Sequence, residues 1–179
     1  GRPEWVAVTV GAVFVVTGYH ALLFVGQRGT TSAASAVIVS LSPVLTTAFA
    51  RAFLPSERLT AVGLLGMLLG LLGVAVLSRP DPGNLVGSRF EALVFGAALC
   101  FALGSVLIRR FETELPIETF EAWSMLVGAL FMHGLSPALG ETVSGVPPLR
   151  ETLALVYLAV VSSALGFLIY FDLLERLGA

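Results

Sequence analysis

Apolar runs of about twenty residues, parted by short polar breaks, recur six times along this 179-residue chain. They cover approximately 5–26, 31–53, 60–78, 91–108, 118–138 and 152–174. A hydrocarbon core of ~30 Å is crossed by about 20 helical residues. Each run is therefore long enough to span a bilayer, and the pattern predicts an all-α, polytopic transmembrane helix bundle of about six spans.

The breaks carry turn and cap chemistry. The first run ends at "GQRGTTS", and the second stops at "LPSERLT". There Pro55 breaks the helix, Ser56 can cap the next one, and Glu57 lies at its positive end. "RPDPGNLVGSRFE", rich in Pro, Gly and Asn, reads as a linker between two halves. Pro116 opens the fifth run, with Glu118 and Glu121 near its positive dipole end. The sixth ends in "YFDLLERLGA", where Asp172 and Arg176 are spaced for a helix-end ion pair.

Small residues fall in stripes. Gly63, Gly66, Gly70 and Gly73 share one face of the third run, and Gly96, Cys100 and Gly104 share one face of the fourth. No hydrophobic force drives helices together in lipid, so residues that permit close backbone approach act as packing devices. Cys100 reads as one more small packing residue.

The second run, "VIVSLSPVLTTAFA", places a proline at its midpoint. Pro43 has no N–H, so the Val39 carbonyl loses its helical partner and the helix bends. Ser40, Ser42 and Thr46 are placed to satisfy that carbonyl. A bent helix near the midplane serves either to line a substrate cavity or simply to improve packing.

Composition agrees with a membrane setting. Hydrophobic residues make up 56% of the chain and charged residues 12%, against about 25% charged in soluble domains. Mean hydropathy is +0.93. The net charge of −2 offers no basic footprint for nucleic acid, and all ten cations are arginine. Arg2, Arg51, Arg58, Arg109, Arg110 and Arg176 fall on one side of an alternating topology, and Arg28, Arg79, Arg89 and Arg150 on the other. That bias predicts a multi-pass protein of the cell (plasma or inner) membrane with both ends of this chain cytoplasmic. HExxH, G-x-S-x-G, a Walker loop and Cys/His clusters with metal spacing are all missing from the sequence. No enzyme activity, cofactor or metal site is expected.

Polar residues inside spans are often functional. His20, beside Tyr19, reads either as a substrate or proton contact or as one partner in an interhelical hydrogen bond. His133, near a helix end, reads as interfacial. Trp5 and Trp123 suit an aromatic belt, although Trp123 is one turn deeper and within reach of a cavity. Tyr170, in the sixth run, is also within reach of a cavity.

The stretch "TTSAASAVIVSLSPVLTTAFARAFLPSERLTAVGLLGMLLGLLGVAVL" resembles the EamA-type drug/metabolite transporters. Ala33, Ala34 and Ala36 match the family's small-residue run, Pro43 its mid-helix proline, and Glu57-Arg58 its hinge. Gly66, Gly70 and Gly73 match its glycine-rich helix. Ser56 stands where the family usually has glycine. "GAALCFALGSVLIRR" and "YLAVVSSALGFLIYFDLLERLGA" are similar to the first and third helices of the family's second half.

The resemblance implies a five-plus-five inverted-repeat transporter fold, of which this chain supplies helices three to eight. Residues 1–80 would be the last three helices of the first repeat, 81–90 the inter-repeat loop, and 91–179 the first three helices of the second. An offset of 148 sets Arg2 against Arg150, Gly18 against Gly166 and Gln27-Arg28 against Glu175-Arg176. The implied function is secondary transport of a small organic metabolite or drug-like solute by alternating access, incomplete in this chain. Its substrate-binding candidates are Tyr19, His20, Ser42, Pro43, Trp123 and Tyr170. Its partners are a small-molecule substrate, the lipid bilayer and a coupling ion, proton or sodium. The alternative is a non-transporting membrane scaffold or partner-binding subunit, whose hydroxyls would be sealed in dry helix contacts. An intramembrane enzyme would need a convergent nucleophile and base, and the sequence offers none.

Overall fold

The computed structural model describes residues 2–54, 61–78, 89–111, 114–141, 145, 147–165 and 169. Their α-helices are α1 (Arg2–Val10), α2 (Tyr19–Gln27), α3 (Ser32–Val39), α4 (Ser42–Phe53), α5 (Ala61–Ser78), α6 (Arg89–Arg110), α7 (Ile117–Leu135) and α8 (Leu149–Tyr157). A π-helical segment, Gly11–Gly18, joins α1 to α2, and a second, Leu158–Leu165, extends α8. No strand occurs among the described residues, as an all-α membrane bundle requires.

Pro3–Gln27, Ser32–Phe53 and Arg89–Arg110 are long and apolar enough to cross a membrane. In α5 the apolar stretch Ala61–Gly73 is shorter. Glu118, Glu121 and His133 dilute the apolar character of α7. The "SER" break at 56–58, residues 79–88 of the linker, Tyr170 and the Asp172–Arg176 pair lie outside the described residues.

α6 stands at the centre. It buries Val94, Ala97, Ala98, Ala102, Gly104 and Val106, with the first span, α3 and α4 all packed against it. Its predicted stripe is a true contact. A Cβ placed on Gly96 would meet Leu22 at 3.5 Å, and one on Gly104 would meet Phe14 Cβ at 2.7 Å. Between them, Cys100 Sγ lies 3.3 Å from a Cβ placed on Gly18. Four residues up α6 match four residues down the first span, so the two helices run antiparallel.

α7 lies against the first span in the other sense. A Cβ on Gly11 would fall 2.8 Å from Ser124 Oγ, and one on Gly128 would fall 2.5 Å from Val16 Cγ1. Both numbers rise together, so this pair is parallel. The first, fourth and fifth of six alternating spans must be related in this way.

The α5 stripe behaves differently from expectation. A Cβ on Gly66, Gly70 or Gly73 would meet nothing within 4 Å. Helical spacing made that face smooth, and α3 touches α5, but no neighbour comes into close contact at these three glycines. The exposed Leu64, Leu65, Leu68, Leu69 and Leu72 of α5 face no penalty in lipid, whose tails are as apolar as leucine.

The second span is interrupted where the missing amide predicts a bend, although Ser40 and Leu41 keep right-handed helical angles. α3 ends at Val39, Ser40 and Leu41 form a tight turn, and α4 begins at Ser42 with Pro43 in its first turn. Ser42 Oγ donates to the Val39 carbonyl at 2.7 Å, replacing the amide that Pro43 lacks. Ser40 Oγ donates to Val37 O at 2.6 Å, and Thr47 Oγ1 to Pro43 O at 2.8 Å. Ser42, of the three candidates, is the one that satisfies the freed carbonyl.

Two stability outcomes follow from this packing. Gly128→Val should overpack the contact with Val16 and lose about 1–3 kcal/mol, read as a lower unfolding temperature in detergent, whereas Gly70→Val should change it little. Ser42→Ala should cost about 1 kcal/mol. In a Pro43→Ala background that loss should vanish, because the restored amide at position 43 takes over the Val39 carbonyl. An equal loss in both backgrounds would contradict the assignment.

Candidate functional site

The break opens onto a hollow. The Pro43 ring is exposed and, with Ser40 and Val44, walls a groove of about 510 Å³ whose other wall includes Gly66, Met67 and Gly70. The missing side chains of α5 make the space. Among the residues lining it, Ser40 alone carries a hydroxyl, and that group already bonds Val37 O. The groove is therefore lined almost entirely by apolar groups. Ser42 is turned away from solvent, 8% exposed, with its hydroxyl held by Val39.

Tyr19 and His20 begin α2 at the end of the π segment. His20 Nδ1 lies 2.7 Å from the Val16 carbonyl. A carbonyl only accepts, so Nδ1 carries a proton toward it. The half-buried imidazole is flanked edge-on by Tyr19, ring centroids 4.9 Å apart, and by Phe24 at 5.7 Å. Tyr19 also approaches Phe101 at 5.5 Å. One alternative raised by the sequence is thus partly answered: the Nδ1 bond is made within the helix, not across to another.

Trp123 is set apart from these residues. Its ring stands edge-on to Trp5 at 5.3 Å, and both rings are about half exposed beside a small hollow of about 90 Å³ that also touches Glu4, Val8 and Leu115. Trp5 and Tyr19 are separated by about 20 Å of helical rise, so the tryptophan pair occupies the opposite end of the first span from His20. The exposed His133 bonds Ala129 O through Nδ1 at 2.9 Å, near the end of α7.

Sequence reasoning missed a polar clasp. Arg28 Nη2 meets Glu141 Oε1 at 2.5 Å, and Ser136 Oγ donates to Oε2 of the same carboxylate at 2.9 Å. Gly140, at φ +75°, lets the chain turn so that Glu141 N–H reaches Ser136 O at 3.1 Å. The clasp ties the turn after the first span to the turn after the fifth. Its partners are 113 residues apart, with no local signal to join them. Gly66, Gly70 and Met67 as a groove wall were also missed, because glycine periodicity identifies a smooth face but not what covers it.

Apolar spans packed through small residues, one of them broken beside a groove, define a polytopic integral membrane protein. The chain belongs to the EamA-like transporter family, which it matches over residues 1–79 and 89–179. It is similar to YyaM, an uncharacterized transporter of Bacillus subtilis (strain 168), with 29% identity covering 99% of this chain and 60% of that protein. An uncharacterized transporter of Archaeoglobus fulgidus shares 27% identity over 92% of this chain and 57% of its own length. YedA, an uncharacterized inner membrane transporter of Escherichia coli (strain K12), shares 28%, covering 98% and 56%. The chain thus spans less than two thirds of the length of these relatives. No solved structure matches it.

Because both members of the Arg28–Glu141 pair are about half exposed, Glu141→Gln should cost less than about 1 kcal/mol. The loss should shrink further in 1 M salt, where the Debye length is about 3 Å. A larger, salt-insensitive loss in thermal unfolding would mean that the clasp is buried.

Proposed function

We propose that the complete protein carries a small organic metabolite or drug-like solute across the cell membrane by alternating access, and that this chain supplies three helices from each of two inverted repeats. The observation that carries the reading is the Ser40–Pro43 break beside the open groove. Counted at 1.5 Å per residue from the turn at Thr31, Pro43 lies roughly 18 Å down its span, near the middle of a ~30 Å hydrocarbon core. Irregular backbone at that depth is tolerated where it lines a cavity or is buried in protein, and transporters bind solutes at such places.

The apolar lining selects a solute with an apolar or aromatic face. Pro43 contacts it, and Ser42 holds the break in shape. Tyr19 and His20 supply the polar contacts, with the imidazole exchanging a proton with the coupling gradient. Trp123 acts at one end of the pathway, Tyr170 is a further substrate contact, and both ends of this chain face the cytoplasm. Sodium is the competing coupling ion. One observation favours the scaffold reading instead: Ser42 is sealed, with its hydroxyl bonded inside its own span.

Uptake by the complete protein in proteoliposomes, over a panel of amphipathic solutes under an imposed pH gradient, separates the two. Imidazole changes charge between about pH 5 and 8, so uptake should depend on pH in that window. His20→Gln, which can still bond Val16 O but cannot gain a proton, should flatten the profile. An unchanged profile with full uptake removes His20 from coupling; no uptake of any solute by the unaltered protein favours the scaffold.

A further inference from the structure

The two π segments occupy corresponding places. Gly11–Gly18 lies in the first span and Leu158–Leu165 in the sixth, an offset of 147 residues (158 − 11). That is within one residue of the offset pairing Arg2 with Arg150 and Gly18 with Gly166. π-Helix is rare, usually a single-turn bulge, and frequent at functional sites. Two eight-residue segments at matched positions indicate a shared device.

The surroundings of the first segment show what it does. The Tyr19 amide donates five residues back, to Phe14 O. Thr17 Oγ1 donates across to Gly128 O of α7 at 3.3 Å, a long bond that holds this ladder. Ser124 of α7 is 2% exposed, its hydroxyl has no hydrogen-bond partner, and it abuts Gly11, where the segment starts. A hydroxyl buried without a partner is unfavourable and asks for an explanation.

We propose that the π segments are matched register switches. Each span alternates between the π ladder and an ordinary α ladder; in the latter, a re-aimed carbonyl near Gly11 accepts from Ser124 while Thr17 leaves Gly128. Dropping one residue from the turn rotates the helix beyond it by about 100°. Tyr19 and His20 then face a different neighbour. The inference rests on the alternating-access reading and supplies its moving part.

Native Cys100 reports the register. A Cβ on Gly18 would lie 3.6 Å from Cys100 Cβ, inside the disulfide range of about 3.5–4.5 Å. In vesicles holding the complete protein, with Cys100 the only other cysteine, Thr17→Cys, Gly18→Cys and Tyr19→Cys are oxidised in parallel. Gly18→Cys should cross-link most, and one flanking position should reach about a tenth of its yield or more. Ser124→Ala should cut the flanking yield at least threefold, and Ser105→Ala, which removes a hydroxyl bonded to Phe101 O of its own helix, should leave it unchanged. If Gly18→Cys does not fold, Gly96→Cys paired with cysteine in place of Ala21, Leu22 or Leu23, in a Cys100→Ala background, reads the same rotation. Cross-linking at the facing position alone, or flanking yields indifferent to Ser124→Ala, overturns the proposal. Uptake by the unaltered protein is scored separately from the cross-links. A carrier with a fixed ladder gives uptake without flanking cross-links, which sinks the switch alone. Flanking cross-links that respond to Ser124 without uptake support the switch and sink the carrier.

Discussion

In hydrocarbon, helices are held by close contact rather than by escape from water, and the structure depends on one such contact. The Ala/Gly face of α6 lets the first span approach so closely that side-chain atoms of Phe14 and Val15 stand where a Cβ on Gly104 would be. α3 and α4 also pack on α6, and α7 on the first span. Without the small residues at 96, 100 and 104, the first span could not sit at the depth that aligns its irregular middle with the break in the second.

That alignment follows from a second constraint. Backbone groups in lipid must be satisfied within the protein, and both central spans depart from a regular α ladder. Ser40 and Gly18 are each roughly 14 Å from the turn that joins their spans. One departure is capped by Ser42; the other uses a ladder with longer reach. The two irregularities sit at a similar depth, the Ser40–Pro43 break beside the groove that the α5 glycines leave open and the π segment against α6 and α7.

Much of this was legible from the residues. Apolar run length located the three long apolar spans found among the described residues, Pro43 located the break, and the missing amide named Ser42 among the hydroxyls able to cap Val39. The Gly96–Cys100–Gly104 stripe was readable as a contact. The Gly66–Gly70 stripe carried the same spacing yet lines a space, because periodicity describes one helix and not its neighbour. The π segments left no signal, since "GAVFVVTG" is as apolar as the helix around it, and the Arg28–Glu141 clasp joins residues far apart in sequence. Of the candidate site residues, Tyr19–His20 and Ser42–Pro43 lie on different spans, and Trp123 pairs with Trp5 at the far end. Sequence marked each residue as polar or bulky within a span, but depth and facing come only from packing.

The account stands on the groove beside Pro43 being an accessible mid-membrane space and not a seam filled with lipid. Thiol labelling of the complete protein in sealed vesicles, in a Cys100→Ala background, tests this directly. A membrane-impermeant, charged reagent should modify cysteine in place of Gly66 or Val44 and leave cysteine in place of the outward-facing Leu69 untouched. Equal protection of all three positions would show that water never reaches the groove, and the carrier reading would fail with it.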